Sequence, residues 1–197
     1  MLLEEKLVRK DREIELLNES VVPSVHDNIF EIDENVPRED VDLLVIGDSI
    51  IKHINEGGVN IHKCVLGGRV SDIREELIEL NRSKRIKKVI MHVGTNNFPN
   101  QSPSQVLRKI LALVKEVRDN MPDTKLLVSA ILPKHADSLL YGINCINYNL
   151  RASSRALGFK FISNSQFVKN GDADTSLMAQ DGLHLSRMGT VHCALTD

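Results

Sequence analysis

The sequence predicts an α/β protein, a three-layer α/β/α sandwich around a mostly parallel five-stranded sheet, preceded by a coiled-coil-like helix. Short apolar runs alternate with amphipathic windows along most of the chain. The runs lack strict polar alternation, which is typical of strands covered on both faces. Glycine-containing turns follow the first three runs. Repeated strand, helix and strand units of this kind build a doubly wound sandwich.

The first 21 residues are predicted to form a coiled-coil-like arm. Apolar or long side chains recur there in alternating steps of four and three, at Leu3, Leu7, Lys10, Ile14, Leu17 and Val21. The alternative is a single amphipathic helix packed on its own domain, because fewer than three heptads are present. Residues 22–40 contain prolines and many acids and are predicted to be a linker, so the folded domain would span 41–197.

Five apolar runs in that domain are predicted to be strands, at residues 43–46, 61–66, 89–93, 126–132 and 159–162. Three windows with apolar residues on one face are predicted to be helices, at 71–82, 104–120 and 138–157. The third window ends at Gly158, a natural C-terminal glycine. Ligands of such sheets bind beyond the carboxyl ends of the strands, so the functional residues are expected there.

Four segments at or beyond strand ends carry reactive groups. They are Gly47-Asp48-Ser49, Gly67-Gly68-Arg69, Gly94-Thr95-Asn96-Asn97 and, near the end of the chain, Asp181-Gly182-Leu183-His184. Taken singly, each is an ordinary turn or a surface Asp and His pair. Together they supply a hydroxyl nucleophile, an imidazole that a carboxylate can orient, and donors for an oxyanion, the groups that acyl transfer requires.

The motifs GDS, a glycine after the second strand, GTNN and DGLH, in this order between Leu43 and Gly189, resemble the SGNH (GDSL-type) hydrolase superfamily. The resemblance implies a flavodoxin-like topology and a serine esterase acting on acetyl or short-to-medium acyl esters, lipid esters included. It implies that Ser49 is the nucleophile, that His184 is the base and that Asp181 orients the imidazole. The implied oxyanion donors are the backbone N–H groups of Ser49 and Gly68 and the side chain of Asn96.

Two residues depart from the usual pattern of that superfamily. Ile50 follows the serine where leucine is common, which is a mild change. Asn97 stands where aspartate is common, and it lacks a charge that would organise the loop. We therefore expect a lower turnover than in a typical member.

The layout of arm, acidic linker and esterase domain resembles the esterase-containing first open-reading-frame proteins of vertebrate LINE-type (non-LTR) retrotransposons. The segments DGLHLSRMGT and YNLRASSRALGFKFI add to this resemblance. It implies a homo-oligomer formed through the N-terminal helix and contact with lipid or a membrane surface. It also implies association with a ribonucleoprotein through other regions.

Composition and missing motifs limit the alternatives. Lys plus Arg number 25 against 27 Asp plus Glu, a net charge of -2, and only seven residues are Tyr or Phe, which disfavours an RNA chaperone. A basic cluster at Arg82–Lys88 is interpreted as solvated surface. The absence of a GxSxG pattern argues against the α/β-hydrolase fold. No Walker A, GxGxxG or HExxH pattern occurs, so no cofactor or metal is predicted. A lipid- or partner-binding module on the same scaffold stays open.

Cysteine usage and the N-terminus bear on the compartment. Three scattered cysteines, Cys64, Cys145 and Cys193, form no disulfide framework or CxxC pair. The first residues are too densely charged for a secretory signal or a membrane span. We therefore expect an intracellular, cytoplasmic protein.

Overall fold

The structure, a computed structural model, describes residues 37–53, 60–132, 137–169 and 172–177. The strands are β1 (Glu39–Val41), β2 (Leu44–Gly47), β3 (Ile61–Cys64), β4 (Lys84–Ile86), β5 (Lys88–His92), β6 (Lys125–Ser129), β7 (Lys160–Ile162), β8 (Val168–Lys169) and β9 (Asp172–Ala173). The helices are α1 (Val70–Ser83), α2 (Pro103–Asn120) and α3 (Asp137–Ser153). Short 3-10 helices span Ser49–His53, Thr95–Asn100, Ser165–Phe167 and Thr175–Leu177.

The central sheet has five strands in the order β3, β2, β5, β6, β7, and every neighbouring pair is parallel. Numbered along the chain within this sheet, that order is 2-1-3-4-5, the flavodoxin-like arrangement. The predicted α/β class, five-stranded sheet and topology are therefore confirmed. Each of the five strands overlaps one of the predicted apolar runs.

Helix boundaries follow local capping chemistry. At the start of α2, Ser102 and Gln105 form a reciprocal capping box, and Pro103 occupies the first turn, where no N–H is needed. The helix α3 ends at Ser153, four residues before the predicted end of its window. Turns then lead to Gly158, whose φ of 68° is suited to glycine, before β7 begins.

The hydrophobic core lies between one face of the sheet and the three helices. Its buried members include Leu44, Ile46, Ile73, Leu77, Val89, Met91, Ile110, Val114, Leu126, Val128, Ile143 and Ile146. The 3-10 helix that begins at Ser49 lies over the other face of the sheet. It is held there by His62, an exposed residue of β3, whose Nε2 atom bonds to the carbonyl of Ile51 at 2.8 Å. A second buried cluster joins Ile50 to Leu132, Phe167 and Leu177.

The strands β1 and β4 form a small parallel ladder lined with ion pairs. In register, Glu39 lies beside Lys84 and Asp40 beside Arg85. Glu39 pairs with Lys84 and Asp40 with Arg85 at 3.6 Å along the ladder, and Asp42 pairs with Lys87 at 2.7 Å just beyond it. Within α1, Glu79 pairs with Arg82 at 3.1 Å. Four cations of the predicted basic cluster are thus paired inside the domain, and two residues of the predicted linker, Glu39 and Asp40, belong to β1.

Several predictions fall outside the described residues. They include the coiled-coil-like arm at 1–21, residues 22–36 of the linker, and the site residues Asp181 and His184. Within the described ranges, no helix is long and apolar enough to cross a membrane.

Candidate active site

Ser49 lies two residues beyond Gly47, the last residue of β2, and is the first residue of a 3-10 helix. The preceding Asp48 is fully buried and determines the turn that carries Ser49. The Asp48 N–H donates to the His92 carbonyl at 3.3 Å, and its carbonyl accepts from the Ile51 N–H at 3.2 Å. Its Oδ1 atom accepts from the Ile50 N–H at 3.0 Å. Asp48 therefore fixes the turn that carries Ser49 to both its own helix and β5.

A tight turn over Val65–Gly68 follows β3. The Gly68 N–H donates to the Val65 carbonyl at 2.9 Å, and Gly67 has a φ of 69°, as the third position of a type II turn requires. The Val65 N–H donates to the Gly47 carbonyl at 2.8 Å, which joins this turn to the end of β2. The hydrogen that Gly68 would offer to an oxyanion is therefore already bonded within its own turn.

Asn96 lies in the loop that follows β5 and reaches across to the β3 turn. Its half-buried side chain donates from Nδ2 to the Gly68 carbonyl at 3.1 Å. A primary amide has two hydrogens, so this bond holds the side chain in place and leaves a second hydrogen for another acceptor. Asn96 is thus both fixed and able to donate to an oxyanion.

Asn97 organises the loop without a charge. Its buried Oδ1 accepts from the Val70 N–H at the start of α1 at 3.1 Å, and its Nδ2 donates to Gln101 at 3.2 Å. A carboxylate at this position would accept from Val70 equally well but would have no hydrogen for Gln101. The loop order that we expected asparagine to weaken is therefore supplied by its carboxamide.

A buried polar group that sequence reasoning missed lies beneath these loops. His92, at the end of β5, bonds through Nδ1 to the Ser129 hydroxyl at 3.1 Å. Burial lowers the pKa of His92, and the charge of Asp48 opposes that shift. Ser129 lies 37 residues away, so no short spacing revealed the pair. The usable signal was the position of His92, two residues before GTNN.

Three of the five predicted site residues are therefore placed on one edge of the sheet. Ser49, Gly68 and Asn96 follow β2, β3 and β5, and hydrogen bonds join the three loops. Asp181 and His184 lie outside the described residues, so their contact with Ser49 stays a prediction. In the described part of the chain, no group of His, Cys, Asp and Glu is arranged to hold a metal ion.

Comparisons with known proteins agree with this architecture. No protein-family model and no curated protein matches the chain. A GDSL-like lipase from Bacteroides thetaiotaomicron aligns over 76% of this chain and 82% of its own, with 18% identity and a TM-score of 0.61. A family 3 carbohydrate esterase from Clostridium thermocellum aligns over 77% and 90%, with 15% identity and a TM-score of 0.61.

The esterase domain of the ORF1 protein from the zebrafish ZfL2-1 retrotransposon is 24% identical over 78% of this chain and 94% of its own, but its TM-score of 0.42 is too low to bear on the fold. The lipase and the carbohydrate esterase, by contrast, show that the chain has the fold of GDSL-type hydrolases, as the sequence motifs predict.

Proposed function

We propose that this chain is a serine esterase that hydrolyses carboxylic esters through an acyl-Ser49 intermediate. The observation that carries the proposal is the bond from Asn96 to the Gly68 carbonyl, which holds two loops of the predicted oxyanion site together beside the Ser49 turn. A fixed amide donor next to a serine at the carboxyl end of a parallel strand is suited to acyl transfer.

The reaction assigns one task to each predicted residue. His184 takes the proton of the Ser49 hydroxyl as its Oγ attacks the ester carbonyl, and Asp181 keeps the imidazole in the required tautomer. The tetrahedral oxyanion accepts hydrogen bonds from the Ser49 N–H and the second amide hydrogen of Asn96. The Gly68 N–H contributes by sharing its hydrogen between Val65 and the oxyanion.

The second half of the reaction returns the free enzyme. The tetrahedral intermediate collapses, and His184 gives its proton to the departing alcohol. Water then attacks the acyl-Ser49 carbonyl with the same base and the same oxyanion donors, and the carboxylic acid leaves.

The substrates proposed are acetyl and short-to-medium acyl esters, lipid esters included. Leu66, on the turn beside the site, is 69% exposed and offers an apolar contact for an acyl chain. The resemblance in layout extends the proposal to an intracellular, retrotransposon-encoded protein. It would self-associate through residues 1–21, contact lipid or a membrane surface, and join a ribonucleoprotein through other regions.

Labelling by a fluorophosphonate tests the nucleophile. We expect the full chain to be labelled at Ser49 and to hydrolyse p-nitrophenyl esters of graded chain length. Ser49→Ala should abolish both, whereas Ser71→Ala, on an exposed residue of α1, should change neither. A folded wild-type chain that is neither labelled nor active would refute the esterase and favour the binding module.

The oxyanion assignment is tested at Asn96. Asn96→Ala should cost roughly 2.7–4 kcal/mol of transition-state stabilisation, the usual effect of losing one such donor. Asn96→Asp, which has similar size but no amide hydrogen, should lose a comparable amount. A change of only a few fold in kcat would move the donor role to another group.

A further inference from the structure

We propose that a cavity between α3 and the segment that follows β7 binds a nucleotide, with its base packed on Tyr148 and its phosphate bound by Arg151. The cavity has a volume of about 280 Å³. This is close to the lower end of the range for small-molecule sites, roughly 300–1,000 Å³, so it suits one nucleotide unit. The inference goes beyond the proposed esterase, because neither residue takes part in acyl transfer.

The floor of the cavity is fixed by two asparagine side chains. The Ile131 N–H donates to Asn147 Oδ1 at 2.8 Å, and Asn147 Nδ2 donates to the Ile131 carbonyl at 2.9 Å. The Asn164 amide donates to the Ser129 hydroxyl oxygen at 3.0 Å and to the Ala130 carbonyl. These bonds join the segment after β6 to α3 on one side and to the segment after β7 on the other. The cavity is therefore formed before a ligand arrives, which lowers the cost of binding.

One wall of the cavity carries an exposed aromatic ring. Asn144, Tyr148 and Arg151 line this wall, and their spacing of four and three residues places them on one face of α3. Tyr148 is 58% exposed although it lines the cavity. Proteins that bind single-stranded nucleic acids hold the bases by stacking them on aromatic rings. Tyr148 offers such a surface to a planar base.

Arg151 supplies a cation whose hydrogen-bonding edge is available. Its guanidinium carbon lies 6.0 Å from the centroid of the Phe161 ring, on the opposite wall of the cavity. Contact with a ring uses the face of the guanidinium and leaves the N–H groups at its edge for an acceptor. Arg151 forms no ion pair within the described part of the chain. A phosphate can accept two parallel bonds from this edge.

The surroundings of the cavity favour an anion. Residues 138–171 contain four cations, Arg151, Arg155, Lys160 and Lys169, and no Asp or Glu, although the whole chain has a net charge of -2. All four are exposed. The described residues that line the cavity include no carboxylate, whereas Asn144 and the hydroxyls of Ser163 and Ser165 offer neutral donors and acceptors. These groups suit the polar edge of a base and the hydroxyls of a ribose.

Tyrosine fluorescence tests whether a base reaches Tyr148. The chain has no Trp and only two Tyr, so Tyr141→Phe leaves Tyr148 as the single tyrosine. AMP should quench its fluorescence in a saturable way, after correction for absorbance by the nucleotide. Adenosine, which lacks the phosphate, should bind more weakly, and ribose 5-phosphate, which lacks the base, should compete poorly with AMP. The absence of saturable quenching at millimolar AMP would overturn the inference, as would equal competition by ribose 5-phosphate, which would indicate a site for an anion alone.

Two arginine variants then test the phosphate contact, with binding measured by the fluorescence anisotropy of labelled AMP. Arg151→Gln should weaken binding on the order of 10-fold, because it removes a charge-assisted contact. Arg155→Gln is the matched control. It removes an exposed charge outside the cavity lining, and at physiological salt it should change the affinity by less than about 3-fold. Equal losses in the two variants would mean that only the general field attracts AMP, and the inference would be wrong.

The source of the nucleotide and the independence from catalysis are tested with the same assay. A single-stranded oligoadenylate that binds more tightly than AMP, with the same loss in Arg151→Gln, would assign the cavity to a nucleotide within a strand, and equal affinities would assign it to a free nucleotide. Ser49→Ala should bind AMP as the wild type does. A chain that binds AMP but is neither labelled by a fluorophosphonate nor active would refute the proposed esterase alone.

Discussion

Gly94→Ala should destabilise the domain because the site loop after β5 begins at a position that only glycine fits. Gly94 has a φ of 120°, which side chains with a Cβ rarely adopt. An added Cβ would lie 2.7 Å from Ile131 Cδ1 and 3.0 Å from Ile110 Cδ1. Both isoleucines are fully buried, so neither methyl group has free space into which it can move.

The magnitude follows from three terms. A residue held in a sparsely populated backbone region costs about 1–3 kcal/mol, and overpacking a filled core costs about 1–3 kcal/mol. The smaller entropy of an unfolded chain with alanine returns about 0.4–1 kcal/mol. The net loss in the free energy of unfolding should therefore be about 3 kcal/mol.

Gly67→Ala is the matched control, because Gly67 has a φ of 69° but an added Cβ would meet nothing within 4 Å. Its cost is the left-handed strain of about 1–2 kcal/mol less the same entropy term, which leaves about 1 kcal/mol or less. Urea unfolding of both variants should show a difference of about 2 kcal/mol. If Gly94→Ala were within 0.5 kcal/mol of Gly67→Ala, the packing argument for this loop would be wrong.

Three further outcomes are expected. Asn97→Ala should lower the free energy of unfolding in urea by about 1–3 kcal/mol, because the Val70 N–H loses its acceptor. Asn97→Asp keeps an acceptor and should lower this free energy by a smaller amount. Equal decreases in the two variants would contradict this. Arg74 on α1 and Glu116 on α2 form two hydrogen bonds, of 2.7 and 2.5 Å. Because the pair is partly solvated, a double-mutant cycle should give a coupling free energy of about 1 kcal/mol. The absence of any coupling would show that solvent screens this ion pair. Burial lowers the pKa of His92 in the folded state, so the unfolded chain takes up this proton first as the pH falls. The contribution of the neutral imidazole to stability should therefore be complete above pH ~6.5, the ordinary pKa, and be lost as the pH falls through the lowered pKa of the folded state. His92→Gln should show a shallower pH dependence of thermal unfolding, and an unchanged slope would contradict this.

The central strands could be predicted because both faces of each are covered. Val89, Met91, Leu126 and Val128 are buried against the helices, and residues between them face the other layer, so the runs are apolar at almost every position. Their order in the sheet was implied by the family resemblance.

The ladder β1–β4 could not be predicted in the same way. Glu39 and Asp40 have the composition of a linker, and their pairing depends on cations 45 residues further along. A local pattern of apolar spacing carries no information about such a partner. The same limit applies to His92, whose partner Ser129 lies 37 residues further along the chain, and to Asn97, whose helix partner lies 27 residues before it.

The ladder also determines on which side of the domain the described chain begins. β1 leads into the amino end of β2, whereas Ser49 follows the carboxyl end of β2, so residue 37 enters the domain on the side away from the reactive loops. If copies self-associate through residues 1–21, as proposed above, the loop that carries Ser49 in each copy would lie at the opposite end of β2 from the segment that joins them. Such an assembly would engage a surface bearing many ester groups at several points at once, and its residence there would exceed that of a single copy through avidity alone.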